Sequence, residues 1–173
     1  MDAVDATRRA TEERGAGSLR VDDLTAGDLS RIAWSGSSRH VQAVTEVLDR
    51  VSLGETEYLT VRAPDGRPVT IGGINYTEAP GVGTIFQLST HQQLQGFGLG
   101  TRLLAAAEER IHQRGVKVAR LGVEDDNPRA RALYERLGYQ ESGRRPASWE
   151  AEREDGSLFL YETEVTELDK PLG

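Results

Sequence analysis

Residues Gln95, Gly96, Phe97, Gly98, Leu99 and Gly100 form a Gln-x-x-Gly-x-Gly run that opens into an amphipathic stretch at Thr101, and Asn127 and Tyr134 follow in a later one. Glycines at alternate positions leave backbone N–H groups clear of Cβ atoms, so several can turn toward one ligand. The run sits where a helix begins, and a helix N-terminus carries unbonded donors and the positive end of its dipole. No Ser, Thr, Asp or Asn stands at positions 96–100 to cap those donors from within. An anion is therefore expected to cap them from outside, and a phosphate or pyrophosphate suits that place.

The loop by itself fits several nucleotides. The dinucleotide fingerprint fails, because Thr101 stands where its third glycine belongs, and no Gly-Lys-Ser/Thr phosphate loop occurs. Asn127 and Tyr134 lie seven residues apart, close to two helical turns, so they share a face with Ala130, Leu133 and Leu137. Spacing alone favours a core tyrosine packed by its ring. A buried hydroxyl still needs a partner, and the mouth where the glycine loop opens can supply one.

These residues need elements to position them. Ser18–Asp22 reads as a short strand, and Thr25 opens a helical stretch with Leu29, Ile32 and Ala33 on one face. Ser37 or Ser38 caps a second helix that turns Val41, Val44, Leu48 and Val51 inward, with Gly54 as its stop. Glu57–Arg62 and Arg67–Tyr76 form a hairpin around Pro64-Asp65-Gly66, and Gly72-Gly73 marks a bulge or a close backbone approach. After a turn at Ala79-Pro80-Gly81, the strand Gly83–Thr90 runs into the glycine loop. Helix 101–114 follows, burying Leu103, Leu104, Ala107 and Ile111, and Gly115 ends it before the strand Val116–Val123. Strand, helix, strand in that order makes a crossover with two parallel strands. Asn127 as N-cap, Pro128 at the first helical position and Gly138 at the stop delimit the next helix. Tyr139–Arg145 and Ser157–Glu167 read as two closing strands joined by an acidic loop around Trp149. The class is α/β, with antiparallel hairpins flanking one parallel pair.

Composition narrows the chemistry. The chain has 173 residues, 37% of them hydrophobic, which suits one domain with a sizeable core. It has no cysteine, so disulfides, thiolate metal sites and an acyl-cysteine intermediate are excluded. No apolar run has the length of a membrane span, and residues 1–17 are charged without an apolar core; the expectation is a disordered tail on a cytoplasmic protein, with no membrane partner. The net charge of −7 argues against nucleic acid. Nine acids against four bases lie between Tyr139 and Gly173, either a solvated face or an attraction for a cationic acceptor.

With both motifs in view, the chain resembles the GCN5-related N-acetyltransferase (GNAT) superfamily, which binds acetyl-CoA. Gln95 to Gly100 match its Arg/Gln-x-x-Gly-x-Gly/Ala pyrophosphate loop, and Asn127-x-x-Ala130-x-x-Leu133-Tyr134-x-x-Leu137-Gly138-Tyr139 matches its second acetyl-CoA motif. The resemblance covers 18–172 and implies a single-domain acyl-CoA N-acyltransferase fold, a mixed central sheet with a splayed parallel pair and flanking helices. It implies acetyl-CoA as cosubstrate, with no metal. The pyrophosphate would lie on the backbone of Gln95, Gly96, Phe97, Gly98, Leu99, Gly100 and Thr101, and the pantetheine arm along Leu88, Ser89 and Thr90 and against Asn127. Tyr134 would protonate the departing thiolate, backbone amides would hold the thioester oxygen, and a homodimer would be usual. The expected acceptor is a primary amine, and a small cationic one in the first instance. A protein or peptide amine, or a non-catalytic acyl-CoA-binding module, stays open.

The base is the weak point of the pattern. Family members often carry an acid on the strand before the loop, where this chain has Gln87. Glu124 is the expected substitute, with Asp125 and Asp126 beside it, acting through water; loop solubility and helix-start charge are the plainer reading of each of the three. His91 and His40 are further candidates, while His112 faces outward. Arg102, Arg129 and Arg131 are candidates for the 3′-phosphate of CoA. Trp34, Trp149 and Tyr76 are candidate walls of an acceptor pocket whose specificity lies in 33–55 and a 146–157 loop.

Overall fold

The computed structural model describes residues 19–173; the expected disordered tail at 1–17 lies outside them. Seven strands form one sheet: β1 (Arg20–Asp23), β2 (Thr56–Arg62), β3 (Pro68–Asn75), β4 (Val82–Thr90), β5 (Val118–Glu124), β6 (Gln140–Glu152) and β7 (Leu158–Pro171). Their spatial order is β1-β2-β3-β4-β5-β7-β6. Every pairing is antiparallel except β4 with β5. Among the described residues three α-helices flank the sheet: α1 (Ser38–Asp49), α2 (Leu99–Gln113) and α3 (Pro128–Arg136).

The central strands β2 and β3 are buried almost throughout, as strands covered on both faces must be. On one face, α2 contributes Leu99, Leu103, Leu104, Ala107 and Ile111 to the larger core, against which Ala130, Tyr134 and Leu137 of the α3 region also pack. On the other face, Val44 and Val47 of α1 pack with Leu24, Ile32, Tyr58 and Ile71. The periodicities that called for α1 and α2 thus correspond to two separate apolar stripes on opposite sides of the sheet.

Three local expectations need correction. The stretch after Thr25 forms 3-10 turns at Ala26–Arg31 and Ala33–Ser35, not an amphipathic α-helix. Asp28 there accepts from Thr25 N at 2.9 Å and is gripped by Arg62 at 2.8 Å, which fixes a tight capped turn rather than an extended run. Val51 lies beyond α1 in another 3-10 turn and is 40% exposed. Trp149 sits inside β6, paired with Tyr161 of β7, so the 146–157 loop shrinks to the turn at 153–157. The acids there suggested a loop, yet alternate outward positions of a strand accommodate acids equally well.

The parallel pair comes apart. β4 and β5 are registered from Val82↔Val118 to Ile85↔Leu121, and both strands then continue without pairing to each other. The cause is visible in β4. Its register against β3 jumps between Ile71↔Ser89 and Gly73↔Phe86, and Gln87 takes a left-handed φ of 53°. A bulge of this kind bends its strand and exposes backbone groups. Gly73 permits it: a Cβ there would lie 2.7 Å from the Phe86 ring.

Candidate active site

The glycine loop occupies the opening left by the splay. Gly96 and Gly98 have φ of 85° and 78°, the left-handed region that favours glycine. Gly98 is the N-cap of α2 and offers no side chain to it. Arg102 N is the residue that first bonds back, to Gly98 O at 3.0 Å. The amides of Leu99, Gly100 and Thr101 therefore head a helix with no internal cap. Phe97 turns inward and packs against the larger core.

A 670 Å³ cavity lies over this loop, lined by Leu88, Ser89 and Thr90 of β4, by Gln95, Gly96 and Gly98 to Thr101, and by Asn127, Arg129, Leu133 and Arg136. Its far wall is α3, which Asn127 caps by accepting from Ala130 N at 3.1 Å. That bond uses the amide oxygen of Asn127 and leaves its NH2 as the group able to meet a ligand. Arg129 and Arg136 are the cations on this wall. Arg136 was missed in the sequence, although its spacing of seven from Arg129 puts both on one helix face. The other two candidate arginines are engaged elsewhere: Arg102 donates to Leu19 O, and Arg131 pairs with Glu135 and Glu141.

A second cavity, of 840 Å³, meets the first at Leu88, Asn127 and Ala130. Tyr134 stands in its wall, half buried, with its ring edge-on to Tyr139 at 6.3 Å. Its hydroxyl has no hydrogen bond among the described residues. Burial pushes its pKa above the ordinary phenol value, so the group is held as a neutral acid. Across the same space lie Gln87 and Glu124. Gln87 accepts from Tyr58 Oη at 2.9 Å, and burial likewise keeps Tyr58 protonated. Glu124 ends β5 and accepts from Tyr161 Oη at 2.9 Å. Its neighbour Asp125 is turned away to Thr166 and Arg144.

The remaining wall comes from α1 and the β6–β7 ribbon. Arg39, His40 and Glu46 face Trp149, Glu150 and Glu152, and Arg39 pairs with Glu150 at 2.9 Å. Four carboxylates, Glu46, Glu124, Glu150 and Glu152, thus surround a space with one guanidinium. His40 Nε2 is buried without a hydrogen-bond partner among the described residues, and burial lowers its pKa. His91 is spent on local structure, its Nδ1 accepting from Gln93 N at 3.4 Å with its ring against Trp34. Trp34 packs with the α1 core, and Tyr76 bonds Glu57 beneath Arg114 at the far end of α2. Neither lines the cavity; of the three candidate aromatics only Trp149 does. Among the described residues no group of three or more His, Asp or Glu side chains could hold a metal ion, and no helix is long and apolar enough to cross a membrane.

The chain is similar to known proteins in both sequence and fold. The sequence profile of the Acetyltransferase (GNAT) family matches residues 28–139. A mycothiol acetyltransferase from Kocuria rhizophila is 36% identical over 63 residues, which are 36% of this chain and 21% of that protein. The match thus spans about a fifth of that relative's length. Among solved structures, spermidine N-acetyltransferase from Vibrio cholerae, in complex with CoA and spermine, aligns with a TM-score of 0.67 at 17% identity, covering 90% of this chain and 96% of that one. A GNAT family acetyltransferase from Elizabethkingia anophelis with acetyl-CoA bound aligns with a TM-score of 0.65 at 14% identity, covering 90% and 99%. At these identities the likeness is one of fold.

Proposed function

The chain belongs to the GNAT acetyltransferase family, and from that premise we propose that it is an acetyl-CoA-dependent N-acetyltransferase whose acceptor is a small cationic amine. The observation that carries the reading is the junction of the two cavities at Leu88, Asn127 and Ala130, beside the phenol of Tyr134. One cavity has the uncapped helix start and arginines suited to a pyrophosphate and a 3′-phosphate. The other has surplus carboxylates suited to an ammonium group.

In this reading the loop amides and α2 hold the pyrophosphate, and Arg129 and Arg136 face the 3′-phosphate. The unpaired edge of β4 at Leu88–Thr90, with the Asn127 amide, holds the pantetheine arm. Glu124 takes a proton from the acceptor ammonium, directly or through water, since an alkyl amine of pKa ≈ 10.4 is protonated at neutral pH. The amine nitrogen then bonds to the acetyl carbon, the C–S bond breaks with its electron pair on sulfur, and Tyr134 gives that sulfur its proton. The second amine proton restores the phenol.

The test is release of the CoA thiol, followed with a thiol reagent, across mono-, di- and polyamines and peptide N-termini. The chain has no cysteine, so the protein contributes no signal. Turnover should be greatest with small amines carrying a second positive charge. Preference for peptides would move the acceptor class to proteins, and acetyl-CoA binding without turnover on any amine would favour a non-catalytic module, the reading that Gln87 in place of an acid allows.

A further inference from the structure

We infer that Tyr161 is a positioning residue for the reaction, holding the Glu124 carboxylate so that one oxygen faces the acceptor amine; this rests on the proposed role of Glu124. The evidence begins with the strand pattern. Along the first half of β7, Leu158, Leu160 and Glu162 are exposed while Phe159, Tyr161 and Thr163 are half buried, so Tyr161 is on the inward face. Its hydroxyl donates to Glu124 Oε1 at 2.9 Å. That is the one side-chain hydrogen bond or ion pair of Glu124 among the described residues.

The tyrosine is itself held. Trp149 lies directly across the β6–β7 ladder, its ring 4.9 Å from that of Tyr161, and Phe159 packs edge-on at 6.5 Å. A glutamate has three side-chain torsions and no fixed direction at the end of a strand. A hydrogen bond from a phenol locked between two rings supplies one. The hydroxyl stays a donor, because its bond to the Glu124 carboxylate raises its pKa. With Oε1 occupied, Oε2 is left for the ammonium proton. A base oriented by a third group is the arrangement that activated nucleophiles require.

The other charged or titratable side chains lining this cavity are Arg39, His40 and Glu46 of α1, Tyr134 of α3, and Glu150 and Glu152 of β6, with Asp126 close enough to act on the Tyr161 hydroxyl. Arg39 is committed to Glu150, and Ser38 Oγ donates to Glu152 at 3.1 Å. Among the described residues no cation therefore pairs with Glu124 in place of Tyr161.

The experiment compares kcat and the KM for acetyl-CoA in Tyr161→Phe, which keeps the ring stack and removes only the O–H. We expect kcat to fall about tenfold while the KM for acetyl-CoA holds, because the charge-assisted hydrogen bond that fixes the base is lost and the donor cavity is untouched. Leu160→Ala, on the outward face of β7, alters the ribbon without touching the Tyr161 ring or Glu124 and should leave kcat within about twofold. An unchanged kcat in Tyr161→Phe, or an equal fall in Leu160→Ala, overturns the positioning role. Glu124→Gln separates the two levels: unchanged kcat/KM there removes the base, whereas loss of activity there with an unchanged Tyr161→Phe removes only the orienter. Added to Glu124→Gln, Tyr161→Phe should cause no further loss, and a further fall of about tenfold would make Tyr161 merely structural and overturn the role.

Discussion

Tyr134 suits its proposed task because the environment refuses its anion: burial raises the cost of the phenolate, and no base within the described residues takes its proton. A phenol so placed gives up a proton only when a stronger base, such as a thiolate leaving its thioester, forms beside it. Tyr134→Phe should therefore lower kcat by about 10²-fold while acetyl-CoA affinity, measured by calorimetry, changes less than about twofold; undiminished kcat would remove Tyr134 from proton transfer. Spacing in the sequence placed Tyr134 and Asn127 on one face, and so brought Asn127 to the cavity junction and Tyr134 beside it. It had no access to Tyr161, 37 residues from Glu124 in the chain, because a cross-strand hydrogen bond depends on register. The outward Leu158 and Leu160 even hide the inward face of that strand from a reading based on hydrophobicity.

At the scale of elements, the start of α2 depends on a backbone conformation more than on a side chain. Gly98 has φ of 78°, and a Cβ there would meet no protein atom within 4 Å. Gly98→Val should thus leave the core intact, lose about 1–2 kcal/mol through the left-handed conformation, and abolish acetyl-CoA binding by disturbing the helix start and filling the ligand's approach. A variant that still binds acetyl-CoA in calorimetry contradicts the assignment of this loop. The loop, α2 and α3 were legible in the sequence since each is punctuated locally, by glycines, Asn127 and Pro128. The splay was not. It arises from a bulge at Gln87, where a non-glycine residue adopts positive φ, and nothing local in Ile85-Phe86-Gln87-Leu88 announces that. The β6–β7 ribbon was missed for the opposite reason, since its acids and turn residues imitate a loop.

At the scale of the whole molecule, β1 and the capped turn after it are tied to the sheet by Arg62, which bonds Asp22 at 2.5 Å and both oxygens of Asp28 at 2.8 and 2.9 Å. The Arg62 guanidinium holds the Asp28 carboxyl down at about 2, below its ordinary 3.8. A carboxyl with a depressed folded-state pKa stabilises fully above its unfolded value and loses that contribution as pH falls through the folded one. The window is therefore between about pH 4 and pH 2. Urea midpoints should decline across it, and Asp28→Asn should cost roughly 1.5–3 kcal/mol at neutral pH while flattening the decline. An equally steep acid decline in Asp28→Asn would place the acid sensitivity elsewhere. Finally, the two cavities draw on different parts of the chain. In the proposed assignment the donor half is written between Leu88 and Arg136, whereas the acceptor wall is borrowed from 37–46 and 149–152. Substrate preference can therefore diverge among descendants of this chain by changes to α1 and the ribbon, with the machinery for the acyl donor inherited untouched.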